Sequence, residues 1–254
     1  MTPRIIRHSL QSLSFAAFAV LFTTACPLSV KALTLVTNRD DLKANDKVDW
    51  SSLRFGTPIS LGQRTTANLL PSSFETTSEK GLGLGVNIPS VENSRPFVFQ
   101  NTPSLSTNFS NGDYILFAGF KPGNLSNGNP SPLTITFNQQ IQSAGTQIAV
   151  DNTPQFTAFI SAFDDQNNLL GSFSTLGNSS SVIDNSAVFL GVSSDSANIS
   201  KLVYSSSVND QAIGINFLSI RSTDIPEPDN VLALGFIATG LLLLKRESFR
   251  NKKL

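Results

Sequence analysis

Residues 156–175 read Phe156-Thr157-Ala158-Phe159-Ile160-Ser161-Ala162-Phe163, then Asp164-Asp165-Gln166-Asn167-Asn168, then Leu169-Leu170-Gly171-Ser172-Phe173-Ser174-Thr175. Two short runs rich in Phe, Ile, Ser and Thr flank a cluster of Asp and Asn. Those side chains bond nearby backbone groups and tolerate positive φ, so the cluster is predicted to be the turn of a β-hairpin. Period-2 runs extend outward from it in both directions. Leu82, Leu84, Val86 and Ile88 alternate with Gly83, Gly85 and Asn87. Phe97 and Phe99 alternate with Val98, and Leu133, Ile135 and Phe137 with Thr134 and Thr136. Ile148 and Val150 continue the style, and Ile213, Ile215 and Phe217 read as one closing run. No window of about 11 residues between 50 and 222 carries a helical stripe. A short helix at Arg39 to Lys43, capped by Asn38, is the sole helical candidate. About ten to twelve short strands bounded by Gly, Pro, Asn and Ser predict an all-β fold, an antiparallel β-sandwich or jelly roll.

The two ends are set apart from that domain. Arg4 and Arg7 precede an apolar run, Leu13 to Leu21, which is too short to span a bilayer and reads as a signal peptide. Val30-Lys31-Ala32 suits cleavage after Ala32 by signal peptidase. A lipoprotein modification at Cys26 and an uncleaved anchor are the alternatives. At the other end, Pro226-Glu227-Pro228 precedes Val231 to Leu244. That run is 14 residues, about 21 Å as a helix. The hydrocarbon core is roughly 30 Å, so flanking residues and snorkelling of Lys245 and Arg246 must make up the difference. The basic tail is expected on the cytoplasmic side. A buried helix of a soluble protein is the alternative. The division is therefore 1–32 signal peptide, 33–224 β domain and 225–254 membrane tail.

The central domain keeps 10 Lys and Arg against 15 Asp and Glu, a net charge of −5. No basic patch for nucleic acid follows from that balance. The chain's one His, one Cys and one Met are His8, Cys26 and Met1. The domain thus has no Ser-His-Asp or Cys-His pair, no zinc ligand set of the usual kind and no disulfide. Its stability rests on its core. Richness in Ser, Thr, Asn and Phe suits an extracellular β protein.

The C-terminal ending resembles the PEP-CTERM sorting signal of Gram-negative bacteria, through Pro226-Glu227-Pro228, the short apolar helix and Lys245-Arg246. The tail continues to Leu254, longer than the family's usual few basic residues. The resemblance implies export, transient anchoring, cleavage near the motif by an exosortase, and an association with exopolysaccharide. The series Phe156 to Asp164, Leu170-Gly171-Ser172-Phe173, Val188 to Val192 and Asn198 to Leu202, with Asp49-Trp50-Ser51-Ser52-Leu53 ahead of it, resembles a β-sandwich module of secreted bacterial proteins. That likeness implies fold and location and brings no mechanism.

Candidate chemistry in the domain is sparse. Asp40-Asp41 and Asp164-Asp165 are adjacent pairs. Neighbours on a strand point to opposite faces, so neither pair supplies the two facing carboxylates of glycoside hydrolysis. Asp164-Asp165 is expected to serve the turn. A structural calcium held by Asp151, Asp184, Asp195 or Asp210 is the alternative use of the acids, without an EF-hand spacing. Trp50, Tyr114 and Tyr204 are sugar-stacking candidates by type and core residues by context. Trp50 is expected in a starting strand. Gly81-Leu82-Gly83-Leu84-Gly85 lacks the helix that a nucleotide loop requires. No catalytic residue, metal ligand or cofactor is assigned. The expectation is an exported, non-enzymatic surface protein, structural or adhesive, in contact with exopolysaccharide. A lectin-like module and a polysaccharide hydrolase or lyase are the alternatives.

Overall fold

A computed structural model describes residues 32–54, 57–60, 66–89, 94–119, 132–151, 153–208 and 211–223. In chain order its strands begin with β1 (Leu33–Val36), β2 (Asp46–Val48), β3 (Thr57–Ser60) and β4 (Thr66–Leu69). Next come β5 (Ser73–Thr77), β6 (Gly83–Asn87), β7 (Phe97–Gln100) and β8 (Tyr114–Phe117). They continue with β9 (Leu133–Ile141), β10 (Ser143–Val150), β11 (Gln155–Phe163) and β12 (Leu169–Asn178). The last four are β13 (Val188–Ser194), β14 (Ile199–Ser206), β15 (Ile213–Ile215) and β16 (Leu218–Arg221). Sixteen strands among the described residues exceed the expected number, because several are only three or four residues long. Such strands are too brief to show an alternation.

Two sheets form, and every pairing is antiparallel. The larger runs β1-β13-β10-β15-β8-β7-β4-β3, with β16 also on β10 and β2 on β16. The smaller runs β12-β11-β14-β9-β6-β5. The hairpin of 156–175 appears as β11 and β12, in register from Gln155↔Asn178 to Phe163↔Leu169. Asp164 Oδ1 accepts from the backbone of Gln166 and Asn168, and Asn167 takes φ +64° in the turn. The sequence logic of that turn therefore holds.

The sheets pack face to face over one core. Leu84, Val86, Ile135, Ile160, Leu202 and Tyr204 enter it from the small sheet. Val98, Leu116, Ile148, Leu190, Val192, Ile213 and Ile220 enter from the large one. Each fully buried aliphatic side chain contributes on the order of 2 kcal/mol, so a domain without disulfides can rest on this cluster. A second apolar cluster lies on the outer face of the large sheet, with Ala67, Phe97, Phe99, Phe109, Ile115 and Ala149. All eight residues of β10 are buried as a result.

Three expectations change. Arg39–Leu42 is a single 3-10 turn, with Asn38 Oδ1 accepting from Asp40 N and Lys43 left-handed at its end. Trp50 lies in a second 3-10 turn, Trp50–Leu53, and not in a strand, because the Asp49 side chain caps Ser51 N and starts the turn. Phe217 leaves the run of Ile213 and Ile215. Between Ile215↔Ile148 and Ser219↔Gly145, three residues face two, which is a bulge at Asn216 and Phe217. Among the described residues no helix is long and apolar enough to cross a membrane. Ala32 is the first described residue and directly precedes β1. Cys26, Pro226, Glu227, Pro228, the Val231 to Leu244 run, Lys245 and Arg246 lie outside the described residues.

Candidate functional site

The outer face of the large sheet carries a depression of about 780 Å³. Its floor is Ala149 of β10 and Gly214 of β15, which are paired neighbours. Phe99, Ile115 and Phe117 wall one side. A β-carbon at Gly214 would stand 3.1 Å from the Phe117 ring and 3.2 Å from Ile115 Cγ2, so glycine lets the wall close over the floor. Phe97 backs the wall, with ring centroids 5.7 Å from Phe99 and 5.1 Å from Phe117.

The polar rim comes from three loops. The loop from β7 to β8 is organised by Asn101, which is fully buried. Its Nδ2 donates to the carbonyls of Phe109 and Ser110, at 2.9 and 3.0 Å. Its Oδ1 accepts from the Thr107 backbone and hydroxyl. One amide side chain thus folds the loop that presents Thr107, Asn108 and Phe109. Asn108 ties this loop to the segment after β12, because its Nδ2 donates to Asn178 O at 2.9 Å. Ala187 N donates back to Asn108 O. Ser179 holds the same segment to β10 by accepting from Val150 N at 2.8 Å. Asp151 and Thr153 supply the third part of the rim, and Thr153 Oγ1 donates to Asp151 O.

Two features decide what such a hollow can take. Asp151 is the one ionisable group among its lining residues. The rest of its polar lining is neutral: Ser106, Thr107, Asn108, Thr153 and Ser179 to Ser181. The Asn108 Oδ1 accepts no hydrogen bond among the described residues, but it is closed to solvent and therefore also to a ligand in the hollow.

Beside the hollow, the same face carries a satisfied polar cluster. Arg39 lies over the rings of Phe217 and Phe189, 3.7 and 4.9 Å from their centroids. It donates to Ser219 Oγ and Asn216 Oδ1. Asn216 in turn donates to Asp113 and Gln147, and its carbonyl accepts from Trp50 Nε1 at 2.7 Å. Burial pushes the Arg39 pKa down to about 10, against the pull of Asp113, Tyr204 and Asp40, so it stays charged at neutral pH. Each member has partners, and the cluster fixes the bulge to the β1–β2 connection. A further hollow of about 590 Å³ lies over Gly83 and Gly85 of the small sheet.

The candidate residues from sequence are scattered. Asp40 and Asp41 are exposed on the first 3-10 turn. Asp164 serves its turn, and the Asn168 side chain holds its carboxyl below the ordinary value. Asp184 is likewise held down by hydrogen bonds from Ser186. Asp195 is exposed, and Asp210 lies outside the described residues. Among the described residues no group of three His, Cys, Asp or Glu side chains gathers to hold a metal ion. Trp50 and Tyr204 are fully buried, as their context implied. Tyr114 is half-buried and paired with Arg54, whose Nη1 donates to its hydroxyl at 3.3 Å. Gly81 turns the chain at φ +87° into strand β6. Of all these, the hollow contains Asp151 alone. Its other parts come from strands and loops far apart in sequence, with no local motif to announce them.

No family model and no curated protein matches this chain. Among solved structures it is similar to a DUF4465 family protein from Bacteroides caccae. That pair shares 10% identity over 74% of this chain and 100% of the other, with a TM-score of 0.33. It is also similar to CsCBM6-3 from Clostridium stercorarium, solved in complex with cellobiose. That pair shares 11% identity over 66% of this chain and 95% of the other, with a TM-score of 0.20.

Proposed function

We propose that this chain is an exported, non-catalytic surface protein that holds a neutral polysaccharide in the hollow on its large sheet. The observation that carries the reading is the aromatic wall of Phe99, Phe109 and Phe117 beside a rim of neutral Ser and Thr hydroxyls. Sugars present apolar C–H faces to aromatic and aliphatic walls, and hydroxyls to acceptors at the rim. Among the described residues that line the hollow there is no Lys or Arg to give an anionic ligand a counter-charge. A hydrolase needs two carboxylates across a cleft, and among the described residues that line the hollow Asp151 is the one carboxylate. The chain's repeated passage between the sheets, from β9 to β10, β10 to β11, β12 to β13 and β13 to β14, supports the jelly-roll form of the sandwich. The signal peptide, the Pro226-Glu227-Pro228 ending and Lys245-Arg246 support export and exosortase sorting, which would bring the hollow to exopolysaccharide outside the cell.

The test is titration calorimetry of the full chain, in detergent, against neutral and uronate-bearing oligosaccharides. A neutral glycan should bind. Ser181→Trp, which crowds the exposed rim, should weaken it at least about tenfold. Equal affinity in that variant, or binding of uronates alone, would overturn the proposal.

A further inference from the structure

The small sheet ends in β12, and that edge differs from the other sheet edges. At ten residues β12 is the longest strand among those described. Leu169–Asn178 holds no proline and no charged residue. Natural sheets blunt such edges with short strands, charge, proline, bulges or a covering segment, and among the described residues β12 has only a bulge, at its Leu170 end. The opposite edge, β5, is five residues long, contains Glu75 and runs on to Glu79 and Lys80. The β1 edge of the large sheet is four residues long.

The exposed apolar surface gathers at the same place. The large hydrophobic side chains exposed among the described residues are Phe159 (38%), Leu169 (58%), Leu176 (81%) and Val182 (60%). All four lie on the hairpin of β11 and β12 or just after it. Leu169 and Leu176 stand near opposite ends of β12.

We propose that β12 pairs antiparallel with β12 of a second copy, which joins two small sheets into one across a two-fold axis. The strand is its own complement. The register shift beside Leu170 leaves Leu169 on the exposed face with Ser172, Ser174 and Leu176. An antiparallel pair centred on Phe173 sets Leu176 of each copy against the Leu169–Leu170 end of the other, so each end covers the exposed leucine it faces. The absence of charge leaves nothing to repel a like strand, whereas like charges opposite each other would destabilise the pair. A two-fold contact also closes on itself, so it stops at the dimer. The interface is a strand edge and falls below the standard size of roughly 1,600 Å². The dimer is therefore reversible. This inference is independent of the glycan reading.

The test is disulfide trapping in the full chain within bacterial membranes. A Cys26→Ser background leaves the introduced thiol alone. Ser172→Cys, Ser174→Cys and Leu176→Cys are made singly, with Thr76→Cys on the β5 edge as the comparison. The β12 thiol nearest the two-fold axis should form a covalent dimer at least about tenfold faster than Thr76→Cys. A lysine added at Ser174 or Leu176, whichever does not carry the thiol, should abolish that advantage. Both are exposed, and retained protease resistance would show that the variant still folds. Equal rates at both edges, as dimerisation through the tail alone would give, overturn the proposal. So does trapping that the lysine leaves unchanged.

Discussion

Tyr204 places its hydroxyl in the core between the sheets. The residue is fully buried, and the hydroxyl has no hydrogen-bond partner among the described residues. Burial pushes its pKa well above the ordinary value of 10.0, with the nearby positive charge of Arg39 acting the other way. The ring fills volume, while the oxygen forfeits its hydration. Trp50 is the contrast, because its one donor finds Asn216 O at 2.7 Å. Tyr204→Phe keeps the ring and removes the stranded oxygen, so it is expected to raise stability by about 1 kcal/mol. Chemical denaturation followed by intrinsic fluorescence measures this. A loss of similar size would mean that the hydroxyl has a partner.

At the scale of elements, the large sheet depends on a glycine contact. Gly145 of β10 and Gly191 of β13 are opposite each other in register. A β-carbon at Gly145 would stand 2.6 Å from Gly191 Cα and 2.7 Å from the Phe189 ring. Phe189 is one of the two rings beneath Arg39. Gly145→Ala must push that ring aside, and a cost of about 2 kcal/mol is expected from overpacking alone. The matching observation is a lower thermal midpoint. An unchanged midpoint would show that the face yields. The same face explains what the sequence could and could not disclose. Leu82, Leu84, Val86 and Ile88 alternate cleanly because the other face of β6 is turned away from the core. Phe97 and Phe99 alternate equally well, yet they belong to the outer cluster while Val98 faces the inner core. Period 2 fixes that neighbours diverge and is silent on which face is covered. Phe217 keeps the spacing of Ile213 and Ile215 and still leaves the strand. Asn216 meets the backbone of Gln147 with its own Oδ1, and the ladder slips there by one residue. The hollow assembles through Asn101 and Asn108, two amides in an unremarkable loop, whose partners only the folded chain brings near.

For the whole molecule, the described domain ends at β16, whose pairs are β10 and β2. Every strand of the two sheets has a partner strand within residues 33–221. Removal of residues 225–254 is therefore expected to leave the fold intact and, on the proposed reading of the tail, to give a secreted protein in place of an anchored one. The proposed role of Pro226-Glu227-Pro228 is narrower than that of the apolar run behind it. Prolines cannot donate to a ladder, which suits the proposed use of the segment in a protease groove. In the same proposal, insertion depends instead on Val231 to Leu244 and the basic residues that follow. Replacing the three motif residues by alanine separates the two roles. In a host with an exosortase, the variant should still insert but should not be cut. Full-length protein should then build up in the inner membrane, while the parent chain loses the mass of its tail. Intact mass spectrometry of membrane and medium fractions reads both species directly, and it also tests the start at Leu33. Normal release of the alanine variant would make the motif dispensable, and the ending would then be a plain membrane anchor.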